Sequence, residues 1–272
     1  MDIPFTKMVG AGNDFVVVDN RSGIIPEGPG RRDLFAAWCH RRFGIGADGV
    51  LLVEPDDSLD FSMRYYNADG GEAEMCGNGG RCIARFAHLT GIAAKEMTFR
   101  SAAGHHTASI LGSDVKLGMT DPTDLELRVS LPLAGGEREV HLINTGVPHV
   151  VEFVDDVTQT PVVELGREIR YHERFAPAGT NANFITPVDR HTFRIRTYER
   201  GVEDETLACG TGTTGAAIVG AILGHFDPPV TGITQSGLKL TIHFEMNEND
   251  VHSVYLEGNA DIAFAGTVSA AT

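Results

Sequence analysis

Residues 192–224, TFRIRTYERGVEDETLACGTGTTGAAIVGAILG, decide the fold because an earlier stretch repeats their plan. Residues 61–91 read FSMRYYNADGGEAEMCGNGGRCIARFAHLTG. Both stretches run from a strand-like alternation through an acidic, glycine-containing loop to Cys-Gly-x-Gly. Each then continues into an apolar helical pattern that ends near a glycine. Internal repetition of this length predicts two similar domains.

The cysteines of the two turns, Cys76 and Cys209, stand where a helix is predicted to begin. A helix N-terminus offers unpaired backbone N–H groups and the positive end of the macrodipole, so it favours a thiolate. Glycines beside each cysteine let a ligand approach the backbone closely. Four residues of the two helix starts would offer their N–H groups to a carboxylate: Gly77, Asn78, Gly210 and Thr211.

Two similar domains related by an approximate two-fold axis would place the two turns face to face across a cleft. The two sulfurs would then lie on opposite faces of the carbon that carries the bound carboxylate. One thiolate could remove the proton and the opposite thiol could return one, which inverts the centre. The backbone N–H groups would stabilise the charge that develops on the carboxylate. The pattern therefore predicts an amino-acid epimerase with Cys76 and Cys209 as the acid–base pair.

Short apolar or alternating runs along the chain predict strands: 15–19, 50–53, 61–66, 140–143, 150–154, 193–198, 238–244 and 253–256. Helices are predicted at 31–42 and after each of the two cysteines. The expected class is α+β, dominated by antiparallel strands. A second, weaker echo links GNDFVVVD at 12–19 with TNANFITPVD at 180–189.

Composition excludes several classes of function. A formal net charge of −15 over 272 residues opposes binding to nucleic acid. No export signal or membrane-spanning run is recognised, so a cytoplasmic enzyme that binds no membrane is expected. The arginines at 31, 32, 41 and 42 are interpreted as a solvated helix face. Cys39 and Cys82 are expected to be buried apolar residues, and the cysteine spacing predicts neither disulfides nor a metal site.

Cofactor chemistry is not predicted. Pyridoxal phosphate needs a Schiff-base lysine, and none of the four lysines lies in a glycine-rich, phosphate-cradling context. A dinucleotide-binding role for the glycines at 10 and 12 is rejected, because no strand is predicted before them and no third glycine follows at the required spacing.

With these motifs the chain resembles the diaminopimelate epimerase family along nearly its whole length. The matching stretches are KMVGAGNDFVVVD (7–19), FGIGADGVLL (43–52), YNADGGEAEMCGNGGRC (66–82), GVPHVV (146–151), GTNANF (179–184) and YERGVEDETLACGTGT (198–213). The resemblance implies conversion of LL-2,6-diaminoheptanedioate to the meso form, without a cofactor, in lysine and peptidoglycan precursor synthesis.

The family fold implies two pseudo-symmetric domains, each a curved, mostly antiparallel sheet around a central helix, with the active site between them. Residues 1–118 with 259–272 would form one domain, and residues 119–258 the other. The substrate is then the expected small-molecule partner, and a homodimer is compatible with the sequence.

The resemblance also carries over individual residues. Cys76 and Cys209 match the acid–base pair, and His149 and Glu199 match residues that adjust the protonation of the thiols or help to hold substrate. Five residues match contacts to the distal, non-reacting end of the substrate: Asn13, Asn67, Asn181, Glu199 and Arg200. The carboxylate cradle matches Gly77, Asn78, Gly210 and Thr211.

Two positions depart from the family pattern. Val147 stands where many members have asparagine, so Asn144 is a candidate to supply the missing contact. Gly49 stands where many have glutamine. The alternative function is a hydroxyproline- or proline-type epimerase of the same architecture, in which a histidine replaces Asn78. A thiol hydrolase using Cys76 and His149 would leave the second cysteine turn without a role, and a non-catalytic binding protein would not need both thiols.

Overall fold

The computed structural model describes residues 2–269, which divide into two compact units. Unit 1 contains the residues up to Gly118 together with the C-terminal segment from Gly258, and unit 2 is Met119–Glu257. Of the expected return segment 259–272, residues 270–272 lie outside the described residues.

The elements of unit 1 come in the order strand, strand, helix, three strands, helix, three strands. They are β1 (Asp2–Gly10), β2 (Asn13–Asp19), α1 (Gly30–Cys39), β3 (Gly49–Glu54), β4 (Phe61–Asn67), β5 (Glu72–Ala73), α2 (Gly77–Leu89), β6 (Glu96–Ser101), β7 (Gly104–Leu111) and β8 (Asp114–Gly118).

Unit 2 repeats this order after one additional strand. Its elements are β9 (Thr123–Leu133), β10 (Gly136–Asn144), β11 (Pro148–Phe153), α3 (Val162–Arg170), β12 (Asn181–Asp189), β13 (Thr192–Glu199), β14 (Asp204–Thr206), α4 (Gly210–Ile222), β15 (Val230–Ile233), β16 (Lys239–Asn247) and β17 (Asp250–Asn259). The last strand, β18 (Asp261–Ser269), returns to unit 1 and pairs antiparallel with β1.

The strand pairings of the two units correspond one to one. In unit 1 the sequence is β18–β1–β2–β3–β4–β6–β7–β8, with parallel pairs only at β2–β3 and β4–β6. In unit 2 it is β9–β10–β11–β12–β13–β15–β16–β17, with parallel pairs only at β11–β12 and β13–β15. Each unit is thus a mostly antiparallel sheet, and the α+β class with two repeats is confirmed.

Each central strand is covered on both faces, which explains its continuous apolar sequence. In β3, GVLLVE, the even-numbered Val50 and Leu52 pack with Phe35 and Trp38 of α1. Leu51 points to the opposite face, where a Cβ on Gly79 of α2 would lie 3.2 Å from it. The same alternation holds in unit 2, where Val150 and Phe184 belong to the cluster that includes residues of α3. The opposite face of each sheet carries the helix that follows a cysteine.

Helix α3 and about half of the strands were not predicted, although some carry a clear pattern: β9, TDLELRVSLPL, alternates apolar and polar residues, and α3 buries Val162, Gly166 and Ile169. The weaker echo between 12–19 and 180–189 is wrong, because β2 corresponds in topology to β11, and β12 corresponds to β3. A strand does precede Gly10, contrary to expectation. It turns back into an antiparallel strand through Ala11 and Gly12, both with positive φ, so no phosphate-binding helix follows.

The interpretation of the four arginines as a solvated helix face holds only for Arg32, which is exposed on α1. Arg31 is 7% exposed and donates hydrogen bonds to the Tyr66 hydroxyl and to the Ile25 carbonyl oxygen. Helix α1 ends at Cys39, so Arg41 and Arg42 lie in the following turn. In contrast, Cys39 and Cys82 are 3% and 0% exposed, as predicted for apolar packing.

Candidate active site

Cys76 is the N-cap residue of α2 in unit 1. Its backbone is extended, at φ −138° and ψ 122°, and its carbonyl oxygen accepts the helical bond from the Gly80 N–H. The next three N–H groups of the helix have no carbonyl partner within the helix, as at every helix start. Glycines at 77, 79 and 80 keep this turn narrow, and a Cβ on Gly80 would lie 2.6 Å from the Met75 side chain.

A chain of hydrogen bonds fixes the polar residues beside this turn. Arg81 Nη2 donates to Asn78 Oδ1 at 2.7 Å, and Asn78 Nδ2 donates to Asn13 Oδ1 at 2.7 Å. Asn13 Nδ2 donates in turn to Asp48 Oδ2 at 3.0 Å. Arg41 binds Asp48 at 2.6 Å and so anchors the end of the chain. The structure therefore brings together Asn13, Asn78 and the start of α2, with Asp48 and Arg81 as supports that sequence analysis missed.

Asn67 lies at the exposed end of β4, opposite Gly49 of β3. Its backbone closes the loop before Cys76, with its N–H donating to the Gly71 carbonyl oxygen at 2.8 Å. A Cβ on Gly49 would lie 2.7 Å from the Tyr65 ring. The ring of Tyr65 thus occupies the space that a side chain at position 49 would need, which is a physical reason for the departure at this position.

Cys209 is the N-cap residue of α4 in unit 2, in the same relation to its helix as Cys76. Its sulfur accepts a hydrogen bond from the Gly212 N–H at 3.4 Å, and its carbonyl oxygen accepts from the Thr213 N–H at 2.9 Å. The Thr145 hydroxyl donates to the Thr211 carbonyl oxygen at 2.9 Å and connects the bend after β10 to the helix start. A Cβ on Gly212 would collide with the Asn183 carboxamide oxygen.

His149 lies beneath this turn on β11 and is 1% exposed. Burial, with a smaller contribution from the charge of Arg200, lowers its pKa to about 3, so the ring is neutral at neutral pH. Asn183 Nδ2 donates to the Val150 carbonyl oxygen at 2.8 Å and lies 3.2 Å from His149 Nδ1. An amide nitrogen only donates, so Nδ1 accepts and the proton of the neutral ring is on Nε2.

His149 Nε2 is buried and has no hydrogen-bond partner among the described residues. A buried donor without a partner is costly and calls for an explanation. The histidine is therefore not a satisfied core residue, and its N–H is available to a group that the protein itself does not supply.

The remaining predicted residues of unit 2 meet at the ends of β12 and β13. Asn181 is 3% exposed and accepts from the Arg200 backbone N–H at 2.9 Å, while its Nδ2 donates to the Pro148 carbonyl oxygen. Burial raises the pKa of Glu199, which favours a protonated carboxyl group. Arg200 Nη1 donates to the Ala178 carbonyl oxygen at 3.3 Å.

The predicted residues thus form one cluster in each unit. Unit 1 holds Asn13, Asn67, Cys76, Gly77 and Asn78; unit 2 holds His149, Asn181, Glu199, Arg200, Cys209, Gly210 and Thr211. Asn144 is engaged elsewhere, with Asp124 and the Gly146 N–H, and gives no support to the role suggested for it. Residues 2–269 contain no group of three or more His, Cys, Asp or Glu side chains placed to hold a metal ion. Within the same range, no helix has the length and apolarity needed to span a membrane.

Replacing His149 by glutamine is expected to reduce the loss of stability on acidification. Between pH values of about 3 and 6.5, the unfolded chain binds a proton at His149 that the folded chain does not. The free energy of unfolding therefore falls as the pH drops below 6.5, at a slope of up to about 1.4 kcal/mol per pH unit. Urea denaturation of wild type and His149→Gln at about pH 7.5 and about pH 5 measures the difference.

The exposed His191 provides the matched control, because its replacement by glutamine should leave the wild-type pH dependence in place. An equal loss of stability in wild type and His149→Gln would show that His149 does not stay neutral in the folded protein.

Comparison with known proteins agrees with this geometry. The family model described as diaminopimelate epimerase matches residues 5–125 and 141–263. A diaminopimelate epimerase of Aquifex aeolicus is 44% identical, covering 97% of this chain and 97% of that protein. One from Archaeoglobus fulgidus is 40% identical, covering 98% and 96% respectively.

Solved structures share the fold at low sequence identity. A probable proline racemase from Agrobacterium radiobacter K84 superimposes with a TM-score of 0.72 at 17% identity, over 98% of this chain and 93% of that one. A hydroxyproline epimerase from Agrobacterium vitis gives 0.70 at 17% identity, over 98% and 91%. The matches in sequence, which extend over nearly the full length of both partners, decide between these related architectures: the chain belongs to the diaminopimelate epimerase family.

Proposed function

We propose that this protein converts LL-2,6-diaminoheptanedioate to the meso form, without a cofactor, in lysine and peptidoglycan precursor synthesis. The observation that carries the proposal is the repeated helix start: each unit has one cysteine at the N-cap of a 13-residue helix with a glycine-rich first turn. Family membership supplies the substrate class. The two units would serve as the N-terminal domain, 1–118 with 259–272, and the C-terminal domain, 119–258.

In the proposed reaction the two sulfurs act on opposite faces of the substrate α-carbon. The thiolate of one cysteine takes the α-proton, which breaks the C–H bond and leaves its electron pair on the carbon and the adjoining carboxylate. The thiol of the other cysteine then donates its proton to the opposite face. The two cysteines have exchanged protonation states, so the protein returns to its starting form through the reverse reaction or by proton exchange with water.

The helix starts would bind the carboxylate next to the reacting carbon. The N–H groups of Gly77, Asn78, Gly210 and Thr211 lie in the first turns of α2 and α4, where anions are favoured. A carboxylate held there gains stabilisation as negative charge builds up during proton removal. His149, neutral near pH 7 through burial, would add a hydrogen-bond donor near Cys209 without adding charge.

The distal end of the substrate would bind to Asn13, Asn67, Asn181, Glu199 and Arg200. Asn13 and Asn181 are held rigidly by hydrogen bonds to neighbouring groups, which preorganises them for binding. Asn78 distinguishes this site from that of the hydroxyproline- and proline-type epimerases, as noted above. Its carboxamide is bonded to Asn13, which links the carboxylate cradle to the distal site.

The first turnover of LL-diaminopimelate in deuterium oxide is expected to place deuterium at one α-carbon only. The proton returned by the second thiol has exchanged with solvent, whereas the distal centre touches neither sulfur. Cys76→Ala and Cys209→Ala should each lower kcat by about 10²- to 10⁴-fold, because each removes the acid or base on one face. Proton NMR of the product and a coupled epimerase assay measure the two effects.

Cys39→Ala is the matched control, since Cys39 is buried in α1 on the other face of the sheet and should retain activity. Epimerisation at the wild-type rate by either alanine variant at position 76 or 209, or a requirement for pyridoxal phosphate, would refute the two-thiol mechanism.

Arg200→Lys is expected to lower kcat/KM for diaminopimelate by at least about tenfold. The planar guanidinium can donate two parallel hydrogen bonds to a distal carboxylate, which a lysine ammonium cannot reproduce. Arg194→Lys, an exposed change on the same strand β13, is the control and should leave kcat/KM unchanged. Wild-type kinetics for Arg200→Lys would exclude Arg200 as a carboxylate ligand.

We further propose a cytoplasmic homodimer. Strand β18 lies at the edge of the unit 1 sheet, and its side chains are exposed along almost its whole length. Ile262 and Phe264 are 48% and 50% exposed there. An edge strand with exposed apolar side chains is a template for pairing with another chain.

Sedimentation equilibrium is expected to give a mass about twice the 29.2 kDa of one chain. Phe264→Lys should shift the mass towards one chain, because it introduces a charge into the proposed contact. Leu111→Lys, at a comparably exposed position on β7, should not. A single-chain mass for the wild-type protein at assay concentration would disprove the dimer.

A further inference from the structure

Helix α2 contains a buried cation that the reaction as described does not use. Arg81 is 0% exposed and is among the largest fully buried side chains of the protein. Its Nη1 donates to the Gly77 carbonyl oxygen at 3.3 Å and its Nη2 to Asn78 Oδ1 at 2.7 Å, while its buried Nε has no hydrogen-bond partner among the described residues. Both acceptors are neutral, and no carboxylate of residues 2–269 forms an ion pair with Arg81.

A guanidinium keeps its charge in proteins, and burying it without a counter-charge is costly. Burial lowers the pKa of Arg81, and three groups that can become anionic oppose this: Cys82, Cys76 and Asp114. Burial raises the pKa of the Cys82 thiol to about 12, so Cys82 is neutral at neutral pH. Asp114 is half-buried at the start of β8, so solvent screens its charge. Cys76 is the remaining candidate.

The direction of the Arg81 side chain supports Cys76 as its counter-charge. Side chains on a helix lean towards its N-terminus, and Arg81 is the fifth residue after the N-cap. Its hydrogen bond to the Gly77 carbonyl oxygen brings the guanidinium back to the residue adjoining Cys76. The guanidinium therefore lies against the first turn of the helix, next to the residue that follows Cys76.

Unit 2 offers an internal comparison. Counting from each cysteine, the position of Arg81 corresponds to Thr214, which is also 0% exposed. The Thr214 hydroxyl donates to the Gly210 carbonyl oxygen at 3.0 Å, which matches the bond from Arg81 to Gly77. A neutral residue thus makes the same local bond in α4, so the charge in α2 is not needed for that bond.

We propose that Arg81 holds Cys76, rather than Cys209, as the thiolate of the resting protein. The groups placed around Cys209 differ: the Gly212 N–H that donates to its sulfur is neutral, His149 is neutral, and Arg200 is half-exposed and donates to the Ala178 carbonyl oxygen. The inference rests on the two-thiol reaction proposed above and adds its starting state. Cys76 acts first as the base, and Cys209 acts first as the acid. Arg81 is a positioning residue, since its guanidinium bonds the Gly77 carbonyl oxygen and Asn78 rather than the reacting carbon.

The test measures thiol ionisation directly. Wild-type protein is alkylated with iodoacetamide over a range of pH, and the rates at Cys76 and Cys209 are read separately by peptide mass spectrometry. Cys76 is expected to reach its half-maximal rate about one pH unit or more below Cys209, which is about tenfold in thiolate fraction. A Cys209 midpoint equal to or below that of Cys76 would overturn the proposal.

Substitutions of Arg81 test whether its positive charge lowers the ionisation midpoint of Cys76. Arg81→Met should raise the Cys76 midpoint by about one pH unit and leave that of Cys209 in place, while Arg81→Lys should stay near wild type. An unchanged Cys76 midpoint in folded Arg81→Met, with only KM raised, would make Arg81 a structural support for Asn78. If Arg81→Met does not fold, the alkylation midpoints of Cys76 and Cys209 in the wild-type protein still decide whether Cys76 is the thiolate. If Cys76→Ala and Cys209→Ala are both inactive but the wild-type midpoints of Cys76 and Cys209 are equal, the two-thiol reaction stands. The role proposed for Arg81 is then wrong.

Discussion

The structure depends on placing a cysteine at the N-cap of a helix whose first turn is rich in glycine. The N-cap backbone must be extended, so that the sulfur stays beside the unpaired N–H groups of the following turn. Space beneath each turn is filled by other groups, such as the Asn183 carboxamide under Gly212 and the Leu51 side chain near Gly79. Glycine is required there by packing as well as by ligand approach. The turn that exposes its N–H groups to a carboxylate is therefore also packed tightly against the sheet of its own unit.

The period-two alternation of the central strands supplies the rest of the site. On β11 and β12, the even-numbered Val150 and Phe184 pack in the cluster that contains residues of α3, while the odd-numbered His149 and Asn183 lie under α4. Since successive side chains point to opposite faces, a single strand can serve an apolar core and a polar site at the same time. The stability of the sheet and the position of the histidine thus depend on the same register, and a slip of one residue would exchange the two faces.

Sequence analysis predicted the two cysteine turns, which are local, and missed the supporting residues that depend on long-range contacts; it also missed the local patterns of α3 and β9. The two cysteine turns and their helices follow from spacing and composition within about fifteen residues, and the structure has them as predicted. Asp48 and Asn183 were missed because each acts through a partner about 35 residues away, Asn13 and His149 respectively. Arg81 was missed for another reason: a helical arginine is ordinarily solvated, and nothing in the sequence indicates that this one is fully buried. The incorrect match between residues 12–19 and 180–189 has a related cause. Short apolar strands resemble one another in sequence whether or not they occupy equivalent places in the two units.

The two units have corresponding helix starts, but the proposed reaction needs their two cysteines to differ in protonation. A two-thiol reaction needs one thiolate and one thiol at the same time, but two identical helix starts would favour ionisation equally. Repetition is sufficient to bring two sulfurs with similar backbone surroundings into one protein, and divergence is needed to make their charges unequal. The divergence is located one turn below the sulfurs, in residues that cannot reach the substrate: a charged, buried side chain at position 81 and a hydroxyl at position 214. Because both residues bond the same carbonyl position of their helix, the change alters charge while preserving the local geometry. A repeat can in this way keep the shape that holds a carboxylate and still assign different protonation to its two halves.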